Sequence, residues 1–384
     1  MSSNAIAQPL RRLRAGIVGG GRGAFIGSVH RIAAELDGEA RVVAGAMSSD
    51  PRIARDSGAD WHLERSYASY AEMAASEAAD ANGIDFAIIA TPNDLHFPVA
   101  RTFLEADIHV ICDKPLALTV AEGDELMRVV ESGAALFALT HVYTGYPAVR
   151  QARAMVRAGR LGELRLCTVE YTQDWLMEPL ESRGNKQAAW RTDPARAGLG
   201  GCVADIGTHA ANLLEYVSGR PIEAVCADLS SFVKGRRLDD DAHMLLRLAG
   251  GAKGTLLCSQ IACGEENRLS LRLYGSQAGL EWHQEEPNTL LFKPAGRPWE
   301  RLRTGHAYLE GAARAATRVP PGHPEGYLEA FANLYRDFMQ DVRRVSLGQP
   351  PLRDYPGVHE GLRGLRFVAQ AVASSRAGSS WQSV

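Results

Sequence analysis

The sequence predicts an α/β protein in two parts: a helix-wound parallel sheet over residues 11–145, then an α+β domain with an open, mostly antiparallel sheet over residues 146–384. Two observations predict it. Up to Leu139, short apolar runs alternate with amphipathic stretches, which is the order of βαβ units. From Ile222 to Lys293, strand-like runs follow one another with few helices between them, which is the order of an antiparallel sheet. A chain of 384 residues has room for two cores.

Residues 1–10 read as a loose tail. Leu13–Val18 is an apolar run ending in glycines, and Phe25–Leu36 is an amphipathic helix. Further strands fall at Arg41–Ala46, Ile84–Ala90, His109–Cys112 and Ala135–Leu139, with helices near Ser69–Ala81, Phe97–Ala106 and Val120–Ser132. The second part opens with a helix, Ala148–Arg157, and a long strand, Leu164–Trp175. A polar loop, Glu178–Gly201, leads to a helix at Ala204–Val217. Strands then read at Ala224–Phe232, His243–Leu248, Gly254–Ala262, Leu269–Tyr274, Leu280–His283 and Leu290–Lys293. Residues 294–326, rich in Gly, Pro and Arg, read as loops, and helices near Leu328–Val342 and Gly357–Ser374 close the chain.

Composition excludes several classes. A net charge of −3 gives no pull toward nucleic acid or an anionic membrane surface. No run approaches the roughly 20 apolar residues of a membrane span. Arg11-Arg12 precedes only the short run Ala15–Val18, too little for an export signal, so a cytoplasmic location is expected. The six cysteines are scattered, which fits reduced thiols and no zinc site. Asp239, Asp240 and Asp241 with His243 read as a turn before a strand, and no metal is expected.

Gly19-Gly20-Gly21-Arg22-Gly23-Ala24 follows the first strand directly and opens the first helix as G-x-G-x-x-A. Gly19 permits a tight turn, Gly21 lets backbone approach a pyrophosphate, and small Ala24 lets the helix pack on the sheet. The helix N-terminus offers free N–H groups to phosphates. The first part therefore reads as a Rossmann dinucleotide-binding domain taking NAD or NADP. At the end of the second strand, Ser48 stands where an acidic residue would bind the adenosine ribose. Arg22 and Arg52 beside it suit a 2′-phosphate, so the sequence leans to NADP.

Three further motifs follow. Ala90-Thr91-Pro92-Asn93-Asp94-Leu95-His96 ends one strand, Cys112-Asp113-Lys114-Pro115 ends another, and Gly200–His209 opens the Ala204 helix. In this order the motifs resemble the glucose–fructose oxidoreductase and inositol dehydrogenase family, Gfo/Idh/MocA, across nearly the whole chain. The resemblance implies a Rossmann domain followed by an open-sheet domain, and a homo-oligomer, dimer or tetramer, formed through that sheet. It places Lys114 beside the nicotinamide and substrate, and makes His209 of the Asp205-x-x-x-His209 motif the proton acceptor. Thr91, Pro92, Asn93 and His96 would line the nicotinamide end. Asp113 replaces the family's glutamate, and Asn212 stands where an aspartate is usual.

The chemistry is consistent with that reading. Oxidising an alcohol removes a hydride from carbon and a proton from oxygen, and histidine is suited to taking the proton. On a helix, Asp205 and His209 share a face, so the carboxylate could orient the imidazole. Lys114 could stabilise alkoxide charge. Tyr143, Tyr146, Gln173, Asp174, Trp175, Trp190, Arg191 and Asn212 are the substrate candidates, since aromatic faces and polar tips suit a hydroxylated ring. Trp175 and Trp190 read equally well as core anchors. The expected function is an NAD(P)-dependent oxidoreductase acting on a secondary alcohol of a sugar, cyclitol or related diol. An NAD-dependent glycosidase and an aromatic dihydrodiol dehydrogenase are the alternatives.

Overall fold

The computed structural model describes residues 11–384, so the tail reading of residues 1–10 lies outside the described residues. The first sheet holds β1 (Leu13–Gly19), β2 (Ala40–Ala46), β3 (Arg65–Ser66), β4 (Phe86–Ala90), β5 (His109–Cys112) and β6 (Phe137–Leu139). All its pairings are parallel, in the order β3-β2-β1-β4-β5-β6. The chain winds outward in both directions from β1 and β4, and a crevice opens beyond their carboxyl ends. The strands are apolar on both faces because helices cover both: Ile17 and Ile88 on one side, Val18 and Ile89 on the other, are nearly inaccessible. The covering helices are α1 (Phe25–Glu35), α2 (Pro51–Asp60), α3 (Tyr70–Ala79), α4 (His96–Glu105) and α5 (Val120–Ser132).

Next come α6 (Pro147–Arg157), β7 (Leu164–Thr172), α7 (Lys186–Arg191), α8 (Pro194–Ala197), α9 (Thr208–Ser218), β8 (Ile222–Ser230), β9 (Asp241–Leu248) and β10 (Lys253–Ser259). After them lie β11 (Arg268–Gly275), β12 (Ala278–His283), β13 (Thr289–Pro294), β14 (Glu300–Arg303), α10 (Gly311–Ala315), α11 (Tyr327–Ser346), α12 (Val358–Arg376) and β15 (Gln382–Ser383). The second sheet runs β14-β13-β12-β11-β7-β10-β9-β8-β15. Every pairing in it is antiparallel except β7 with β10. Its inner face packs on α6, α9 and α12. Its outer face leaves Leu166, Leu245 and Tyr274 exposed. Helix α11 lies against α1, and α12 reaches α5, so the last two helices tie the second part back onto the first.

The structure adds elements that the sequence reading lacks. Asp50 caps α2 by accepting from the backbone N–H of Arg52 and Ile53, yet only a few small residues of α2 are buried, so its apolar periodicity is faint. Helices α7 and α8 interrupt the expected loop, started by the side chains of Asn185 and Asp193. Strand β14 and helix α10 fall within residues read as loops, and β15 pairs two residues at the chain's end. Strand β7 stops at Thr172, three residues short of the expected end. Among the described residues no helix is long and apolar enough to cross a membrane. All six thiols are free.

Candidate active site

The glycine turn is shaped by close approach. Gly19 and Gly20 have φ of +78° and +69°, so they make the left-handed turn together. A Cβ on Gly21 would lie 2.6 Å from the Met47 carbonyl oxygen at the end of β2. The close packing assigned to Ala24 belongs instead to Gly27, whose added Cβ would lie 2.4 Å from the Gly20 Cα. Ala24 is extended, precedes α1 and lines the crevice. No side chain caps the N-terminus of α1, and Gly23 faces open space. These features fit a pyrophosphate: unsatisfied helix N–H groups beside a turn with no side chain in the way.

Of the three residues read as suiting a 2′-phosphate, Arg22 and Ser48 are engaged within the chain. Arg22 bonds Asp60 through Nε (2.6 Å) and Asp56 through a terminal nitrogen (2.8 Å), both on α2. Ser48 accepts from the Asp50 N–H. The Arg52 side chain is exposed and makes no hydrogen bond among the described residues.

At the opposite end of the crevice, Lys114 follows β5 and Asp205 rises from the second part. The Lys114 ammonium donates to the Asp205 carboxylate (2.8 Å) and to its backbone carbonyl (2.7 Å). The other carboxylate oxygen accepts from Gln260 (2.9 Å) and Arg191 (3.3 Å). Burial alone would raise the Asp205 carboxyl, but the Lys114 and Arg191 charges and these hydrogen bonds hold it well below the usual carboxylate range.

The expected Asp205–His209 pairing is absent among the described residues. Residues Val203–Gly207 form one π turn before α9, so the two side chains do not stack as on a regular helix, and three donors claim the carboxylate. Asp239 holds the start of this turn through the Gly201 and Val203 N–H groups (2.6 and 2.8 Å). His209 is buried among Tyr143, His141 and Tyr171. Its Nδ1 is sealed and unpartnered, which leaves Nε2 for the crevice. Burial, with the Lys114 charge and His141 nearby, pushes its pKa well below the ordinary imidazole value. His141 is pushed down to about 3, mainly by burial.

A cavity of about 650 Å³ joins these groups. Of the sequence candidates, Ala24, Thr91, Pro92, Asn93, Lys114, Tyr143, Gln173, Trp175, Trp190, Arg191, Asp205 and His209 line it. Trp190 and Trp175 flank the Arg191 guanidinium, at 4.1 and 5.8 Å from their ring centroids. The glycine-turn and adenosine-end candidates Gly19, Gly21, Arg22, Ser48 and Arg52 lie outside it, and so do four of the nicotinamide-end and substrate candidates. His96 is buried beneath the wall, its ring nitrogens facing the carbonyls of Pro115 (2.6 Å) and Thr91 (3.0 Å), so it braces the two strand ends. Tyr146 stacks behind Tyr143 against Trp282 in the core. Asp174 accepts from the Gly264 N–H and shapes a turn. Asn212, a turn further along α9, opens into a separate cavity beside Glu215 and Tyr216.

Sequence reasoning missed Tyr171, Gln260 and Asn267. The alternation Val169, Tyr171, Gln173, Trp175 in and beyond β7 could have found Tyr171. Gln260 and Asn267 sit on the segment between β10 and β11 and carry no local signal. Among the described residues no cluster of three or more His, Cys, Asp or Glu side chains could hold a metal.

Fold and crevice together define a nucleotide-dependent oxidoreductase. Residues 13–141 match the oxidoreductase family with an NAD-binding Rossmann fold, and residues 149–281 match the GFO/IDH/MocA C-terminal domain. The chain belongs to the GFO/IDH/MocA family. It is 34% identical to the uncharacterized oxidoreductase YfiI of Bacillus subtilis, over 98% of this chain and 97% of that one. The inositol dehydrogenase homolog of Azotobacter vinelandii complexed with NAD+ superposes with a TM-score of 0.93 at 35% identity, covering 97% of this chain and 98% of that one. The same homolog with NADH and myo-inositol gives 0.90 at 34% identity, covering 97% and 98%. Levoglucosan dehydrogenase with NADH and levoglucosan gives 0.83 at 26% identity, covering 97% of this chain and all of the other.

Proposed function

We propose that this oxidoreductase oxidises a secondary alcohol of a cyclitol, sugar or related polyol, with Lys114, Asp205 and His209 as its catalytic group. One observation carries the reading: an ammonium fixed by a carboxylate and a neutral imidazole line the same cavity, beyond the carboxyl ends of β4 and β5. A bound nicotinamide supplies the hydride acceptor. Lys114 offers a proton donor to the reacting oxygen and stabilises its developing negative charge. His209 Nε2 takes the hydroxyl proton, since its depressed pKa leaves the lone pair free at neutral pH. Asp205 fixes Lys114 and is itself fixed by Gln260 and Arg191. The Trp175 and Trp190 faces cover the apolar face of a ring.

NAD suits the adenosine end better than NADP. The sequence leans to NADP through Ser48, Arg22 and Arg52, but the pairing of Arg22 with Asp56 and Asp60 withdraws one cation from a 2′-phosphate and leaves two carboxylates near it. The relatives solved with NAD+ and NADH support the same choice. The outer face of the second sheet, with Leu166, Leu245 and Tyr274 exposed, takes a second copy of the chain.

A panel of polyols and sugars offered with NAD or NADP, followed by near-ultraviolet absorbance, tests the activity. Nicotinamide reduction with at least one polyol, and tighter binding of NAD than of NADP, is expected. Aglycone released from glycosides without net reduction would instead establish the glycosidase.

A further inference from the structure

Five side chains along one wall of the cavity form a hydrogen-bond chain whose direction their chemistry dictates. The Trp175 indole N–H, which can only donate, meets the Gln173 carbonyl oxygen at 3.1 Å. That fixes the Gln173 amide, so its nitrogen donates to Asn267 Oδ1 at 2.6 Å. The Tyr171 hydroxyl, 2.8 Å from the same oxygen, must donate to it as well. The Tyr171 proton is thereby committed, and the Tyr143 hydroxyl bonded to Tyr171 must be the donor in that pair.

The consequences fall at the cavity end. Asn267 Oδ1 is occupied twice, while its amide nitrogen, beside the Tyr143 oxygen, makes no well-formed hydrogen bond among the described residues and is not sealed from the cavity. Tyr143 has spent its proton and keeps lone pairs. Both residues touch the Tyr171 oxygen, so they are neighbours, and both line the cavity.

We propose that Asn267 is a specificity-determining residue: its amide N–H donates to a non-reacting substrate hydroxyl, which in turn donates to the Tyr143 oxygen. This rests on the alcohol-oxidising reading above. A wall that offers one fixed donor beside one fixed acceptor recognises a hydroxyl and disfavours a hydrogen at that carbon, because the deoxy compound leaves both groups unpaired.

The test is Asn267→Asp, which keeps the acceptor for Tyr171 and Gln173 and removes both N–H groups, with Asn267→Ala beside it. For the best polyol, KM should rise about 10-fold or more in both variants. The kcat should stay within about threefold, and in N267D, which keeps the acceptor for Tyr171 and Gln173, NADH affinity and melting temperature should stay near wild type, a split that a merely structural role would not give. In a panel of monodeoxy analogues, one position that wild type rejects should lose its penalty in N267D. Unchanged KM in N267D, or equal loss of kcat and NADH affinity, overturns the assignment while leaving polyol oxidation standing. A wild-type protein that oxidises no polyol overturns both.

Discussion

Burial of imidazoles weakens the fold toward acid. His30, His141 and His209 are almost inaccessible, and desolvation lowers all three below the ordinary value of 6.5. The unfolded chain takes these protons near pH 6.5, whereas the native state refuses them. Below that pH the unfolded state binds more protons, so stability falls as pH drops from 6.5 toward each folded value. Each of the three can cost up to about 2 kcal/mol at pH 5. Paired carboxylates such as Asp37 are held below the usual carboxylate range, whereas burial raises Asp239, Asp337 and Glu325, whose protonation favours the native state and partly offsets the histidines as pH falls. Urea unfolding should therefore show a lower midpoint at pH 5 than at pH 7. Equal midpoints would mean that these imidazoles are charged or solvated in the native state.

Two short elements decide the site, and they were unequally legible. The glycine turn could be read because strand, turn and helix followed in order from Leu13. Its last small residue was misplaced: the helix meets the turn one turn into α1, at Gly27, and glycine spacing alone does not say which residue touches backbone. Gly27→Ala should destabilise by about 1–3 kcal/mol, because the neighbour is backbone and cannot rotate away. Thermal unfolding with and without NAD checks this, and an unchanged melting temperature would refute the contact. The π turn was not legible. A spacing of four between Asp205 and His209 reads as a shared helix face, and nothing in the local sequence announces the extra residue in the ring. Gln260 and Arg191, which claim the Asp205 carboxylate, lie 55 and 14 residues away. Lys114 was legible from its place at the end of an apolar strand together with the family resemblance of the motif around it.

At the scale of the molecule, the crevice exists because the last two helices clamp the two parts. Buried Asn333 on α11 donates to the Gly145 carbonyl (2.9 Å) and the Ala316 carbonyl (2.8 Å), and Arg318 pairs with Asp37 beyond α1. Asn333→Leu leaves both carbonyls without that donor, at about 1–3 kcal/mol each. The loss should appear in denaturant unfolding as a lower midpoint, and a midpoint equal to wild type would show that the clamp lies elsewhere. The two-sheet architecture was legible from the change of rhythm after Leu139, but the clamp was not, since contacts between α11 and α1 join residues some three hundred positions apart. The central claim, an imidazole that takes the substrate proton beside a separately bound cofactor, is tested most directly by steady-state kinetics and NADH titration of His209→Ala. Turnover of the best polyol should fall by about 100-fold or more while NADH affinity stays within a few-fold of wild type. Turnover at the wild-type level, or NADH affinity falling in step with turnover, would contradict it.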